Sequence, residues 1–522
     1  MRLPAAARRV VVRNWPILVV ITLVSVLCVI NQRPGHDWGD DFALYLRQSK
    51  ALVEGNVGEV LASNRFTVEE SPWKGFSALS VPWGAPVLFA PVVALFGLDY
   101  AKLKLLETLF LAGFLFFFYK IVARRVGSAG GLVLAALIGL SVDYAGWTNT
   151  VLAEFPYMLF LALTLWWIDR CEARGSWEEG PRRPLIVLGL LIGFTYNIRR
   201  EGVVLVLALA AVLAAHLWRR RRRQVPGPVP WRRLATPFLS AGAFVVGLQL
   251  VLPTVLLPQY SEAGFHNLKD NILWYHKIIY ELIGLKDSGA TPADYLGSND
   301  LAFVLLVMFL VFAGIGVLIR TINHFHRDAS FLAVLFGSVL VIGRLPFHDG
   351  RYIYSVVPFV AYFAYQGVAS TLEAILVTPE APRRTKRIPT IVAVAFIAVF
   401  ALGNATDMYR RTVRSVVSGP HTAVWGPEHP QSLEMFAAVR RLTRRDDVLS
   451  FFRARAMNLY AERQTLQLTR VDHILKRVDW YVMRKDSNYS QVLISDEEAA
   501  EVGLELVWQN PKYIIWRVPP RQ

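Results

Sequence analysis

Long apolar stretches recur along the chain and alternate with short polar segments that carry most of the charge. Stretches such as 15–30 and 301–319 are long enough to cross the roughly 30 Å hydrocarbon core of a bilayer as helices. Lipid offers no partner for an unpaired backbone group, so each such stretch is expected to be helical. The pattern therefore predicts a polytopic α-helical membrane protein.

Basic residues fall in short clusters between the apolar stretches. The clusters lie at residues 8–13, 124–125, 182–183, 219–223 and 383–387. Cytoplasmic loops of membrane proteins carry such an excess of Lys and Arg. They predict a cytoplasmic N-terminus and about 11 transmembrane helices, which leave the C-terminus outside. The predicted spans are residues 15–31, 101–123, 129–146, 151–168, 185–198, 201–218, 234–257, 301–320, 330–346, 353–371 and 389–404.

This topology leaves two long outer loops, 32–100 and 258–300. Within the first, 81–98 is apolar but Pro-rich, and a span there would move the 124–125 cluster outside, so we expect an interfacial helix. After residue 404 the apolar stretches shorten and β-rich stretches alternate with helical patterns. The chain thus divides into a transmembrane module, 1–404, and a small extracytoplasmic α/β domain, 405–522. The β-rich stretches are residues 447–452, 480–483, 504–508 and 513–518.

Composition supports the membrane interpretation. Hydrophobic residues make up 54% of 522 positions, above the share usual in soluble domains, and mean hydropathy is +0.37. The net charge of +16 does not gather on one soluble face, which excludes nucleic acid as a partner in favour of the lipid bilayer. Cys28 and Cys171 fall in a span and a predicted cytoplasmic loop, so no disulfide is expected. The basic and apolar N-terminus lacks a cleavage pattern and is expected to be a retained signal anchor.

Candidate carboxylates cluster on the predicted outer side, where ionisable groups near membrane level are costly unless they are used or paired. Asp40 and Asp41 begin an amphipathic helix expected to end near Gly55, with Arg47, Gln48 and Lys50 on its polar face. One of the two aspartates could simply cap that helix. Glu154, at the outer end of the fourth span, could face the same cavity or merely complement a helix dipole.

Several segments resemble, in order and topology, the C-type glycosyltransferase superfamily (GT-C). The closest likeness is to its lipid-A aminoarabinose transferases and protein O-mannosyltransferases. The matching segments are residues 39–45 with Gly55, 82–97, 152–157, 196–202, and Arg351-Tyr352 with Pro358. The resemblance implies a GT-C fold and a sugar donor linked to a polyprenyl phosphate.

In that superfamily the acidic residue after the first span acts as the base that deprotonates the acceptor hydroxyl. The spacing matches it to Asp41, with Asp40 beside it, and the choice between the two stays open. Glu154 is the second candidate, for orienting the acceptor or binding the sugar. Asp40 and Asp41 could instead hold a divalent cation such as Mg or Mn, which only part of the superfamily needs, so no cofactor is certain.

A polyprenyl-phosphate donor needs cations to stabilise its leaving phosphate. Arg199, Arg200 and Arg351 stand at predicted outer turns, where the positive-inside rule disfavours them, and a guanidinium can donate two hydrogen bonds to phosphate at once. These arginines, with His348, are the candidate phosphate-binding residues. Glu201 could instead neutralise one of the first two, and His348 could be structural.

The predicted function is a glycosyltransferase that moves a hexose or pentose from a polyprenyl-phosphate donor to a glycan, lipid or protein hydroxyl. We expect it in the bacterial inner membrane, with a periplasmic active site. A polysaccharide polymerase or ligase would share the lipid donor but lack the early carboxylate pair. A lipid-linked sugar transporter would carry polar residues in mid-span, whereas 203–215 and 301–314 are nearly all apolar. Loop 258–300, rich in aromatics, could cover the acceptor site or pack on the C-terminal domain.

Overall fold

The structure is a computed structural model that describes residues 5–71, 80–254, 264–285, 301–346, 348–378, 380, 382–417 and 425–520, with backbone alone for 5–13. The helices of the first half are α1 (Ala5–Ile30), α2 (Asp41–Glu54), α3 (Val57–Glu70), α4 (Gly84–Phe96), α5 (Tyr100–Gly139), α6 (Val142–Trp147), α7 (Glu154–Ala173), α8 (Arg183–Ile198), α9 (Val204–Arg222), α10 (Trp231–Leu234) and α11 (Thr236–Val251). Those that follow are α12 (Leu268–Leu282), α13 (Leu301–Gly343), α14 (Val357–Leu376), α15 (Ile388–Val417), α16 (Pro430–Leu442), α17 (Ala454–Tyr460), α18 (Val471–Arg477) and α19 (Asp496–Glu501).

Helices long and apolar enough to cross a membrane make up much of the chain. Within the described residues there are six: Tyr100–Gly139, Arg200–Arg222, Trp231–Val251, Leu301–Gly343, Val357–Leu376 and Thr385–Val417. Shorter apolar helices lie at Asn14–Ile30, Gly84–Phe96 and Arg183–Ile198. The chain is therefore a mainly helical, multi-pass membrane protein, as predicted. The number of eleven crossings and their directions stay predictions.

Two helices are much longer than one crossing, and each is interrupted inside. Helix α5 has 40 residues and loses helical geometry at Gly127, whereas α13 has 43 residues and does so at His324. A continuous helix of 40 residues would measure about 60 Å, roughly twice the hydrocarbon thickness. Helix α5 contains residues of the second and third predicted spans, and α13 those of the eighth and ninth. Each break falls where the sequence predicts a connection between spans.

Helix α2 begins at Asp41 and ends where Gly55 adopts a left-handed backbone with φ of 75°, as the pattern predicts. The expectation that Gln48 lies on an exposed polar face is wrong, because Gln48 is fully buried. Its side chain donates to the main-chain carbonyl of Val81 (3.1 Å) and accepts from the Val81 amide (2.8 Å). Helix α2 therefore packs inside the protein, against α4 and α17. Of the outer loop predicted at 258–300, residues 258–263 and 286–300 lie outside the described residues.

The C-terminal part contains a five-stranded mixed sheet. Its strands are β1 (Val448–Ser450), β2 (Gln464–Leu466), β3 (Trp480–Arg484), β4 (Glu505–Gln509) and β5 (Tyr513–Arg517). Their order is β2-β1-β3-β5-β4; β1 pairs in parallel with β2 and β3, and β5 is antiparallel to β3 and β4. Four strands overlap the predicted β-rich stretches, and the short strand β2 does not. That this domain lies on the outer face stays a prediction.

Candidate active site

The acidic pair after the first apolar helix lies at the entry to α2. Asp40 occupies the residue before the helix but makes no capping hydrogen bond, so the capping alternative does not describe it. Asp41, the first helical residue, instead binds two arginines. Its Oδ2 accepts from Nη2 of Arg351 at 2.8 Å, and its Oδ1 accepts from Nη1 of Arg455 at 3.1 Å. Asp41 is thus held between two cations from distant parts of the chain.

Glu154 is the first residue of α7 and is buried beside the same arginine. Its Oε1 lies 3.6 Å from Nε of Arg351 and accepts a hydrogen bond from Nη1 of Arg199. Arg199 also binds Glu201 through Nη2 at 2.8 Å. Arg351 therefore bridges Asp41 and Glu154, and we refer to these three residues as the Asp41–Arg351–Glu154 bridge. Glu201 pairs with Arg199, as the sequence-based alternative allowed.

A short 3-10 turn at Gly350–Ile353 presents Arg351 to the carboxylates. Asp349 fixes this turn, since its Oδ1 accepts from the Arg351 amide at 3.1 Å and its Oδ2 lies 2.8 Å from Arg351 Nε. The ring of Tyr352 lies against both cations, with centroid distances of 5.2 Å to the guanidinium of Arg199 and 5.4 Å to that of Arg351. Cation–π contact of this kind holds guanidinium groups in place over a ring.

Two main-chain contacts hold the segment before α7, one against the segment before α2 and one against α5. The Val151 amide donates to Nε2 of His36 at 3.0 Å, and the Leu152 amide donates to Oε1 of the buried Glu107 at 2.9 Å. The His36 ring also stacks on Phe42, the second residue of α2, with centroids 4.0 Å apart. These contacts explain how Glu154 comes to lie next to the acidic pair.

The charges around the two aspartates separate their proton affinities. Burial raises the pKa of Asp41, but the positive charges of Arg351 and Arg455 outweigh burial and lower it to about 2. Burial also raises the pKa of Asp40, and the charges of Arg455 and Arg453 offset only part of that effect. Asp41 is therefore ionised, whereas Asp40 holds its proton more tightly than an ordinary aspartate.

Two of the predicted phosphate-binding residues lie apart from the bridge. Arg200 donates to the carbonyl of Tyr196 and to Oδ1 of Asn197, both at 3.2 Å. His348 stacks almost parallel on Trp274, with centroids 5.2 Å apart. These contacts favour a structural role for His348. Of the predicted phosphate-binding residues, Arg199 and Arg351 contact the carboxylates.

Sequence reasoning missed the contribution of the C-terminal part. Arg455 lies at the start of α17, is 7% exposed, and also approaches Asp40, with Nε 3.8 Å from Oδ2. Trp38, just before the acidic pair, inserts among aromatic side chains of that part. They are Phe436, Phe451, Phe452 and Tyr513, at centroid distances of 5.1–6.4 Å. Arg453 and Arg455 lie in the mostly apolar stretch 449–460, a pattern that does not distinguish a site residue from an ordinary arginine.

A narrow cleft opens beside the bridge, lined by Glu154, Arg199, Glu201, Arg351 and Tyr352 among others. Guanidinium groups that face such a cleft can bind phosphate oxygens. The carboxylates can accept a proton, or a hydrogen bond from a sugar hydroxyl. No group of three or more His, Cys, Asp or Glu side chains in the described ranges is arranged to hold a metal ion. Both oxygens of Asp41 face arginines, and a divalent cation at the acidic pair stays a prediction.

Known proteins resemble the chain in sequence and in fold. Residues 80–255 match a family described as dolichyl-phosphate-mannose-protein mannosyltransferase. ArnT from Cupriavidus metallidurans bound to undecaprenyl phosphate is 10% identical, with a TM-score of 0.55 over 97% of this chain and 100% of that chain. The same protein in the apo state is 11% identical, with a TM-score of 0.54 over 98% of this chain and 100% of that chain. The Archaeoglobus fulgidus oligosaccharyltransferase in the apo form is 12% identical, with a TM-score of 0.50 over 91% of this chain and 70% of that chain. No curated protein sequence matches the chain.

At 10–12% identity the structural likenesses establish the fold, which extends over nearly the whole chain in both ArnT comparisons. The family match is independent of them and includes α4 to α11, with Glu154 and Arg199. The resemblance predicted from the sequence is thereby confirmed: residues 80–255 match the mannosyltransferase family, and the fold of the chain is similar to that of ArnT.

Proposed function

We propose that the protein transfers a sugar from a polyprenyl-phosphate donor to an acceptor hydroxyl at the Asp41–Arg351–Glu154 bridge. The observation that carries the proposal is that one arginine contacts both candidate carboxylates beside a cleft. The matched family is described by a dolichyl-phosphate-mannose donor, and one ArnT structure holds undecaprenyl phosphate. Both support a lipid-phosphate carrier here.

Each part of the bridge has a role in the proposed reaction. The acceptor oxygen forms a bond to the anomeric carbon while its proton passes to Asp41. The bond from that carbon to the phosphate oxygen breaks, and its electron pair stays on the phosphate. Arg351 and Arg199 stabilise the charge that develops there, the role of fixed cations in phosphate-leaving reactions. Glu154 holds both arginines and is placed to bind a hydroxyl of the sugar or acceptor.

The resting ion pairs imply that the base is inactive until the donor binds. With a pKa of about 2, Asp41 attracts a proton weakly. A donor phosphate that binds Arg351 would offset the charge that lowers this pKa most among the three nearby arginines. Asp41 would then regain proton affinity when the leaving group is in place. Asp40, whose pKa burial raises, is the alternative base.

The substrate and its location extend the proposal. The acceptor is a glycan, lipid or protein hydroxyl, and the sugar a hexose or pentose. The bridge faces the periplasmic side of a bacterial inner membrane, as the positions of the basic clusters predict.

Sugar transfer in membranes tests this function directly. Radiolabelled sugar on polyprenyl phosphate is offered to the native chain, to Asp41→Asn and to Arg351→Ala, with and without chelator. Asp472→Asn and Arg344→Ala are matched controls, because both residues are exposed and lie outside the bridge. Loss of product in the two bridge variants alone supports the assignment. Absence of product from the native chain with every donor and acceptor tried would favour the transporter or polymerase alternatives, and loss with chelator would show metal dependence.

A further inference from the structure

A second charged cluster lies at the opposite end of α7 from the candidate active site. Helix α7 starts with Glu154 at the bridge and ends at Ala173, and a helix of 20 residues is about 30 Å long. Its last turns carry Asp169 and Glu172. Asp169 faces Arg124 and Arg125, which lie beside the break in α5, and Glu172 faces Arg219. The cluster is thus separated from the bridge by about the thickness of a membrane core.

The deep part of this cluster is fully paired and structural. Arg125, whose side chain is 5% exposed, donates to both oxygens of Asp169 at 2.6 and 2.9 Å, and to Oδ1 of Asp328 at 3.2 Å. Asp328 also accepts from Arg320 and from the Tyr362 hydroxyl, the latter at 2.8 Å. Buried charges persist in a membrane protein when they are paired in this way. This network links α5, α7, α13 and α14.

Above the buried network, a cleft of about 540 Å³ has a rim with excess positive charge. Arg219 pairs with Glu172, and Arg124 lies 3.9 Å from an Asp169 oxygen that Arg125 already binds. Arg327 donates to the carbonyls of Arg124 and Arg125 at 3.0 and 3.2 Å. Four arginines thus line the cleft with two carboxylates, and His326 adds an imidazole. Arg124 and Arg327 are exposed and directed to the rim.

We infer that this cleft binds the phosphate headgroup of an acidic phospholipid. Guanidinium groups bind phosphate oxygens in pairs, and basic clefts between membrane helices accept anionic headgroups. The elements that form the rim, α5, α9 and α13, contain apolar stretches long enough to span a membrane, which would lie along the acyl chains. A free phosphate ion would gain the same ion pairs but no contact with those helices. The site is independent of sugar transfer.

Lipid binding to the purified full chain in detergent tests the inference. Phosphatidylglycerol, phosphatidylcholine with the same acyl chains, and inorganic phosphate are titrated separately and followed by native mass spectrometry. The double variant Arg124→Gln/Arg327→Gln should weaken phosphatidylglycerol binding on the order of tenfold, because each arginine near a membrane surface contributes to anionic lipid attraction. The control is Arg222→Gln/Arg223→Gln, which removes the same charge from exposed residues at the end of α9 and should leave binding within about twofold.

Three outcomes would overturn the inference. Equal loss in the test and control variants would mean that surface charge in general attracts the lipid. Equal affinity for phosphatidylcholine and phosphatidylglycerol would show that the cleft does not select an anionic headgroup. Equal affinity for inorganic phosphate would make it a soluble-anion site. Thermal unfolding without lipid checks each variant, and the single variant Arg327→Gln, at an exposed position, replaces the double variant if that one unfolds.

Discussion

Arg351 donates from Nη2 to Oδ2 of Asp41 across 2.8 Å, joining residues 310 positions apart in the sequence. The same guanidinium lies 3.6 Å from Glu154. One cation therefore connects the start of α2, the start of α7 and the turn before α14. A phosphate that competes for this arginine would act on both carboxylates at once.

Replacing Arg351 by Ala should lower kcat for sugar transfer roughly 10²- to 10³-fold, the usual loss when one fixed donor to a developing anion is removed. Arg351→Lys should recover little, because an ammonium cannot reproduce the two-point geometry. Initial rates at saturating donor measure the effect. A change below about threefold in the alanine variant would remove Arg351 from the reaction.

The two aspartates should behave differently when each is replaced by asparagine. Asp41→Asn is expected to lower kcat by roughly 10²- to 10⁴-fold, as for loss of a general base, whereas Asp40→Asn should keep most of it. Single-turnover rates with bound donor separate this effect from donor binding. The reverse pattern would assign the base to Asp40.

Arg455 should act as a positioning residue that sets the proton affinity of Asp41. Arg455→Gln removes one of the three arginine charges that lower the Asp41 pKa, so that pKa should rise. The pH dependence of kcat/KM reports the pKa values of groups in the free enzyme. Its acidic limb should therefore move to higher pH in this variant. Arg470→Gln, at an exposed arginine of the same domain, is the control. An unchanged profile would leave Arg455 with a packing role alone.

Trp38 should hold the acidic pair against the C-terminal part. Trp38→Ala removes a ring that packs against four aromatic residues and should cost about 3–5 kcal/mol, the range for large aromatic truncations. The thermal midpoint in detergent measures this loss, with the exposed Trp231→Ala as control. Equal midpoints for the two variants would contradict the packing argument.

Glu428 should make stability fall as pH rises toward neutrality. Burial raises its pKa to about 7, although the charge of Lys104 opposes the shift. The folded protein then binds a proton that the unfolded chain, with a glutamate pKa near 4.5, has lost, so stability decreases between about pH 4.5 and 7 and then levels off. Glu428→Gln should flatten this dependence. Thermal midpoints between pH 5 and 8 measure it, and an unchanged slope would refute it.

Much of the fold follows from local sequence signals. The start of α2 at Asp41 and its end at Gly55 follow from the amphipathic pattern and the glycine, and the breaks in α5 and α13 fall at predicted connections. Gln48 shows where such signals fail. Its burial depends on the main chain of Val81, 33 positions away, and no local pattern encodes that contact.

The candidate site was predictable to the same degree. Arg199 and Arg351 stood out because Lys and Arg are concentrated in cytoplasmic loops, whereas these two lie on the predicted outer side. Arg200 and His348 carried the same signal, yet they contact Asn197 and Trp274. Arg455 gave no such signal, because an arginine in a soluble domain is ordinary until the structure brings it to Asp41.

The insertion of Trp38 among aromatic residues of the C-terminal part bears on when the protein becomes active. The acidic pair is synthesised before Arg455, which lies 414 positions after Asp41, and before Tyr513, which packs against Trp38. A nascent or truncated chain therefore carries its carboxylates without the partners that fix them. Under the proposed function, sugar transfer therefore requires that the C-terminal part has been made and has packed against the acidic pair.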